Sequence, residues 1–198
     1  MPFARSTIFL VSRASLAFSN SFRRCVFSIA MAQEKAAETA PVKAIHKFVG
    51  ASKCKMCHNT AANGEQFKKW TESKHSKAFE VLASEEAVAI GKKLGVDKPQ
   101  ASDKCLGCHL TGYAAPAADK AASYVATEGV GCEACHGAGA DYMKMQVMKD
   151  KTASIAAGLV LPDEKLCVGC HNDKSPTYKK FVFADAAKLI AHPIPPKK

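Results

Sequence analysis

The stretch Gly129-Val-Gly-Cys132-Glu-Ala-Cys135-His136-Gly137 decides how this chain is read. Two cysteines, two residues apart and followed at once by histidine, recur at Cys54-Lys-Met-Cys57-His58, Cys105-Leu-Gly-Cys108-His109 and Cys167-Val-Gly-Cys170-His171. Cys-x-x-Cys-His is the signature of covalent c-type haem attachment. The chemistry requires that spacing. Two thiols add across the two vinyl groups of a porphyrin as thioethers, and two intervening residues let one helical turn present both sulfurs to one porphyrin edge. The next residue then projects over the metal, where imidazole is a good axial ligand for iron. A zinc ribbon uses paired Cys-x-x-Cys knuckles but has no need of histidine after each, and a disulfide framework has none either. With 7 histidines in 198 residues, chance would put one behind all four pairs about once in a million. The sequence therefore implies four haem c groups with their iron. Cys54, Cys57, Cys105, Cys108, Cys132, Cys135, Cys167 and Cys170 carry the covalent bonds, and His58, His109, His136 and His171 are the proximal ligands.

Four haems present eight axial positions, and only His46, His75 and His192 remain to fill the other half. The spacing predicts a helix over 64–83, on which Phe67, Thr71, His75, Ala78, Phe79 and Leu82 share an apolar face, so His75 is expected to face a haem as its distal ligand. His192 ends the helical run Ala184–Ala191 and precedes Pro193, which turns the chain and lets this imidazole swing over a porphyrin. His46, eight residues before Cys54, can fold back on a haem of its own chain, ligate a haem of a second molecule, or do neither. At least one position is left for methionine, lysine, water, a neighbouring chain or nothing. Met143, Met145 and Met148 follow the third motif. Methionine fills gaps against apolar faces as readily as it ligates. Met148 is the one singled out as a distal ligand, a role that would raise the potential of its haem.

The charge is unevenly placed. All four arginines lie within the first 24 residues, and the first acid is Glu34. From there on, 24 lysines against 18 acids give 24 − 18 = +6 rather than the +10 of the whole chain. A ferric haem with two ionised propionates adds about −1, so four would bring +6 to about +2. The absence of arginine after Arg24, and of any aromatic-basic platform, argues against nucleic-acid binding. Residues 1–32 read as a targeting segment, with Arg23-Arg24 ahead of a short apolar run that includes Cys25 and closes on Ala30-Met-Ala32. Residues 33–46 read as an Ala-, Glu-, Lys- and Pro-rich linker, and 47–198 as the haem domain. No stretch reaches the ~18 apolar residues of a membrane span. An exported bacterial protein of the periplasm or cell exterior, with no transmembrane anchor in the mature chain, is expected. The fold class is all-α, with short helices, much irregular chain and a haem-filled core. Ser84–Gly95 reads as a helix with a serine cap, acids in its first turn and lysines in its last. Pro162 is expected to open a short helix into the fourth motif, and 112–122 to form a loop.

These residues also carry a resemblance. Phe48-Val-Gly-Ala-Ser-Lys-Cys54, Trp70 with Ser73-Lys-His75-Ser-Lys-Ala-Phe79, Cys105-Leu-Gly-Cys-His-Leu-Thr-Gly112 and Glu128-Gly-Val-Gly-Cys-Glu-Ala-Cys-His-Gly137 resemble the cytochrome c-554 family of tetrahaem cytochromes over about 47–193. The resemblance implies a mostly helical protein with closely stacked haems in parallel and near-perpendicular pairs. It implies His75 as distal ligand to the fourth haem, His192 to the third, and a five-coordinate second haem. The family places a distal histidine for the first haem shortly after the third motif. This chain has no histidine between His136 and His171, which leaves Met148 and His46 as substitutes.

Three functions stand open at this point. The first is a respiratory electron carrier relaying single electrons between redox partner proteins, with Lys68, Lys69, Lys74 and Lys77 as a docking patch or simply a solvated helix face. The second is reduction of a small molecule such as nitric oxide at an open second haem. The third is self-association into a polymeric conduit through His46.

Overall fold

The computed structural model describes residues 46–193. The expected targeting segment with Cys25, and the linker up to residue 45, lie outside the described residues. Among those described, nine α-helices of nine residues or fewer are joined by turns and 3-10 segments. No strand forms, and the one β-contact is an isolated bridge between Phe48 and Lys120. The architecture is all-α with much irregular chain, as expected.

Each haem motif lies on its own short helix. The first is on α1 (Ala51–His58). Helix α2 (Gln66–Glu72) and helix α3 (Glu85–Lys93) lead to α4 (Asp103–His109), which carries the second motif, and α5 (Cys132–His136) carries the third. Helices α6 (Met145–Met148) and α7 (Lys151–Ala156) form a hairpin, closed by the buried Ser154 hydroxyl donating to Val147 O at 2.8 Å. Helix α8 (Glu164–Cys167) opens the fourth motif, and His171 N donating to Cys167 O at 3.0 Å carries the turn through to the histidine. Helix α9 (Phe183–Ile190) is last.

Local sequence explains most boundaries. Ser84 caps α3 by accepting from Ala87 N at 3.1 Å, with Glu85 and Glu86 in the first turn and Lys92 and Lys93 in the last. Asp163, not Pro162, caps α8, accepting from Leu166 N at 2.9 Å, so that helix starts two residues later than the proline suggests.

The long helix expected over 64–83 does not form. It stops at Glu72, and Ser73 is extended (ψ 161°). The Ser73 hydroxyl donates to Trp70 O at 2.7 Å and the Ser76 hydroxyl to Ser73 O at 2.9 Å, so serine side chains take carbonyls that a continuing helix would use. A tertiary bond completes the break, because His75 O accepts from Val130 N at 2.9 Å. His75 therefore sits in a turn and not on a helical stripe. Gly129 permits the contact: its φ is +74°, and a Cβ there would stand 2.8 Å from His75 O.

The leader of the third motif is the hub of the molecule. Trp70 Nε1 donates to Val130 O at 2.9 Å. Thr111, just past the second motif, donates to Gly129 O at 3.0 Å and accepts from Gly131 N at 2.7 Å. Glu128 accepts from Ala51 N, the first residue of α1, at 2.8 Å. Glu133, inside the third motif and only 3% exposed, accepts from Val49 N (2.9 Å), Gly50 N (2.8 Å) and Gly139 N (2.7 Å). Two carboxylates thus terminate the free N–H groups at the start of α1 and fix the first motif against the third.

The purely apolar core is small: among the described residues, Val49, Ala51, Leu82, Val96, Leu106 and Tyr142 are its buried members. Val160, Leu161, Leu166, Val168 and Val182 are exposed, and Leu189 on α9 is 87% exposed. Glu133→Ala strands three buried donors, each costing ~1–3 kcal/mol, and is expected to destabilise the holoprotein by about 4 kcal/mol, with Glu133→Gln costing about half as much. Guanidinium unfolding followed by tryptophan fluorescence checks this; equal stability of wild type and Glu133→Ala would remove Glu133 from its place in the fold.

Candidate haem-attachment centre

Short helices bring the motif histidines to defined partners. The His75 and His171 rings have centroids 6.0 Å apart with planes crossed at 83°, and the His136 and His192 rings are 5.9 Å apart at 79°. An imidazole nitrogen lies about 2 Å from a bound metal and roughly 1 Å from its own ring centre, so two rings ligating one iron from opposite sides have centres about 6 Å apart. The rings are crossed rather than stacked, as two imidazoles on one axis can be. Phe181 stacks on the His171 ring at 4.8 Å and 18° and sets its orientation.

Hydrogen bonds select the nitrogen that faces inward. His136 Nδ1 lies 3.2 Å from Val160 O and His192 Nδ1 lies 2.7 Å from Ile190 O. His109 Nδ1 contacts Ala78 O. A carbonyl only accepts, so Nδ1 carries the proton in each case and Nε2 keeps its lone pair for a metal. Burial lowers the pKa of His75 and of His136, and the neighbouring histidine adds to the effect in both; neutral imidazole is the form that ligates.

The cysteines show which motifs are neighbours. The Cys54 and Cys132 thiols act on one another, and this interaction, with burial, pushes Cys54 up while Cys132 is lowered. Burial pushes Cys170 up to about 11, and Cys108 beside it adds to the shift. Burial likewise raises Cys135, with Cys167 the nearest charge acting on it. Motif one thus lies against three, two against four, and three against four. All eight thiols are unpaired by disulfides. Among the described residues no three Cys, His, Asp or Glu side chains converge on one point.

Of the other expected ligands, His46 is placed beside Asp141, with Nδ1 at 2.8 Å from Oδ2. Met148 is half-buried on α6, in the hairpin with α7, and Met145 is exposed. His109 faces Ala78 and has no imidazole opposite it among the described residues.

Several contributors gave no signal in the sequence. Lys69 donates to Ala191 O at 3.3 Å, which holds the end of α9 and with it His192, so this lysine is tied down rather than free in a docking patch. Lys68 and Lys77 pair with Glu65 and Glu80 at 3.5 and 3.9 Å. Asp141 and Phe181 act only through folded neighbours. Glu133 lies between two motif cysteines, as Lys55 does, and only the fold shows it to be a buried acceptor.

The chain fits haem. Each motif puts two thiols and an imidazole on one turn, two further imidazoles stand one iron's width from motif histidines, and open apolar side chains lie at the fourth motif and α9. These features are the ones that c-type haem attachment requires. Residues 53–137 match the family model described as "Cytochrome c554 and c-prime", from the first motif through the third. Cytochrome c-554 of Nitrosomonas europaea is 33% identical over 99 residues, 48% of this chain and 40% of that protein, so the match spans less than half the length of either. Over that segment the chain is similar to the cytochrome c-554 family. No solved structure gives a significant match.

Replacing His75 or His192 with alanine is expected to convert one haem per molecule from low-spin to high-spin ferric iron, with the other haems unchanged. Electron paramagnetic resonance of the purified holoproteins reads this directly; a full low-spin count in both variants would separate these residues from the metal.

Proposed function

We propose that this chain is an electron-transfer protein carrying four c-type haems and relaying single electrons between redox partner proteins of a respiratory chain outside the cytoplasm. The observation that carries the reading is the pair of crossed imidazoles, His75 with His171 and His136 with His192, each one iron's width apart. Iron held on both faces by imidazole has no site for substrate, which favours electron transfer over bond chemistry. His58, His109, His136 and His171 hold the irons from the proximal side, and His75 and His192 complete the fourth and third.

The thiol contacts support an order. Motif one meets three, three meets four, and four meets two. Electrons would pass along the series one, three, four, two, entering and leaving at the first and second haems. Only motifs three and four are neighbours both in sequence and in the path. No described helix is long and apolar enough to cross a membrane, so partners are met through surface contacts of this domain.

A second reading rests on His109. Its Nδ1 is held by Ala78 O, and no imidazole of the described residues stands opposite it, so the second iron would be left with an open face able to bind a small molecule such as nitric oxide.

Intact mass of material matured in a host that attaches haem c is expected to exceed the polypeptide by four haem groups. A stepwise reductive titration is expected to take up four electrons, with one high-spin component in the oxidised spectrum. Fewer than four haems would overturn the relay as stated. A wholly low-spin spectrum would remove the second reading.

A further inference from the structure

We propose that this chain sets the third iron below the fourth in reduction potential, with Glu133 holding the third down and Phe181 holding the fourth up. An electron in the middle of the series then moves from motif three to motif four. The inference rests on the four-haem reading above.

The two sites share one ligand geometry, so geometry does not separate them. Their imidazole planes are crossed at 79° for His136 with His192 and at 83° for His75 with His171, and the ring centres are 5.9 and 6.0 Å apart. The difference lies in what surrounds the rings, and three observations agree on its sign.

The first is hydrogen bonding. Both imidazoles of the third site have a fixed acceptor at Nδ1, Val160 O at 3.2 Å from His136 and Ile190 O at 2.7 Å from His192. Donating that proton makes an imidazole a stronger ligand, which stabilises ferric iron and lowers the potential. Among the described residues neither His75 nor His171 has an acceptor on its ring.

The second is cover. His171 meets the face of Phe181, stacked at 4.8 Å and 18°. An apolar ring on that side displaces water and polar groups. Such surroundings disfavour the more positive ferric state and raise the potential.

The third is charge. Between their cysteines, motif three carries Glu133-Ala134 and motif four Val168-Gly169. The Glu133 carboxylate is buried, and its partners are the N–H groups of Val49, Gly50 and Gly139. A buried negative charge beside an iron favours the ferric state and is little screened. Asp163 and Glu164, at the start of α8, are exposed and followed by Lys165, so solvent and salt screen them. The step itself is one electron. The third iron goes from ferrous to ferric, the fourth from ferric to ferrous, and no proton or second reactant takes part.

The test uses the full holoprotein, after intact mass has shown four haems. A potentiometric titration followed by electron paramagnetic resonance reads each low-spin signal against potential. The signal lost in His192→Ala belongs to the third iron and the one lost in His75→Ala to the fourth. In wild type the fourth is expected to be reduced first. Glu133→Gln is expected to raise the third potential, and Phe181→Gln to lower the fourth, each with the low-spin count unchanged. Phe181→Leu, which stays apolar, is expected to shift the fourth less than Phe181→Gln does. The Phe181 variants leave the buried Glu133 bonds intact, so they carry the comparison even where Glu133→Gln folds poorly. Reduction of the third iron before the fourth, or of both at one potential, would overturn the order. A third potential unmoved in Glu133→Gln would remove Glu133 from it, and a fourth unmoved in Phe181→Gln would remove Phe181. A haem count below four, or ligand variants that keep every low-spin signal, would overturn the reading beneath and this inference with it. Correct counts with the reverse order would overturn this inference alone.

Discussion

A buried carboxylate inside the third motif holds this molecule together. Glu133 takes hydrogen bonds from Val49, Gly50 and Gly139, and its neighbour Glu128 takes the next N–H, that of Ala51. Hydrogen bonds to a charged acceptor are among the stronger ones in proteins. These close the N-terminal end of α1 and set the first Cys-x-x-Cys-His against the third. The rest of the arrangement hangs on the same strip of chain. Trp70 and His75 are tied to Val130, and Thr111 is tied to Gly129 and Gly131. With so few apolar residues buried, directional bonds to one extended strip take on a task that side-chain packing performs in larger cores.

That scarcity has a counterpart in where the apolar side chains lie. Leu189, Val182, Leu166 and Val168 are exposed, close in sequence to His192 and His171. A porphyrin is a broad apolar plate, and haem bound at the motifs would offer these side chains the surface that the polypeptide does not. Helix α9 is amphipathic yet has no buried residue. Its tether, Lys69 to Ala191 O, holds the chain end that brings the His192 ring to 5.9 Å from that of His136.

Much of this was legible in the sequence, for identifiable reasons. The motifs declare themselves because thioether chemistry fixes a spacing, and α3 because Ser84, Glu85, Glu86, Lys92 and Lys93 all act locally. The nearness of His75 and His192 to motif imidazoles was foreseen, but the geometry behind His75 was not. Periodicity suggested a helix through 64–83, and it missed two serines that capture carbonyls and a bond from Val130, 130 − 75 = 55 residues away in the chain, to His75. Asp141 could not be read at all, since an acid five residues past a motif says nothing until His46 is folded beside it. Lysines 68, 69 and 77 read as a docking patch or a solvated helix face, and their partners, Glu65, Ala191 O and Glu80, are known only from the fold.

The bonds from Val49 and Gly50 to Glu133 join residues 84 and 83 positions apart. Closing a loop of that length carries an entropy cost that must be met before the contact gives anything back. During synthesis the first motif emerges long before the acceptor that will anchor it, so its two thiols spend that interval on a mobile strand. Haem attached at the first motif in that interval would precede the folding that later encloses it.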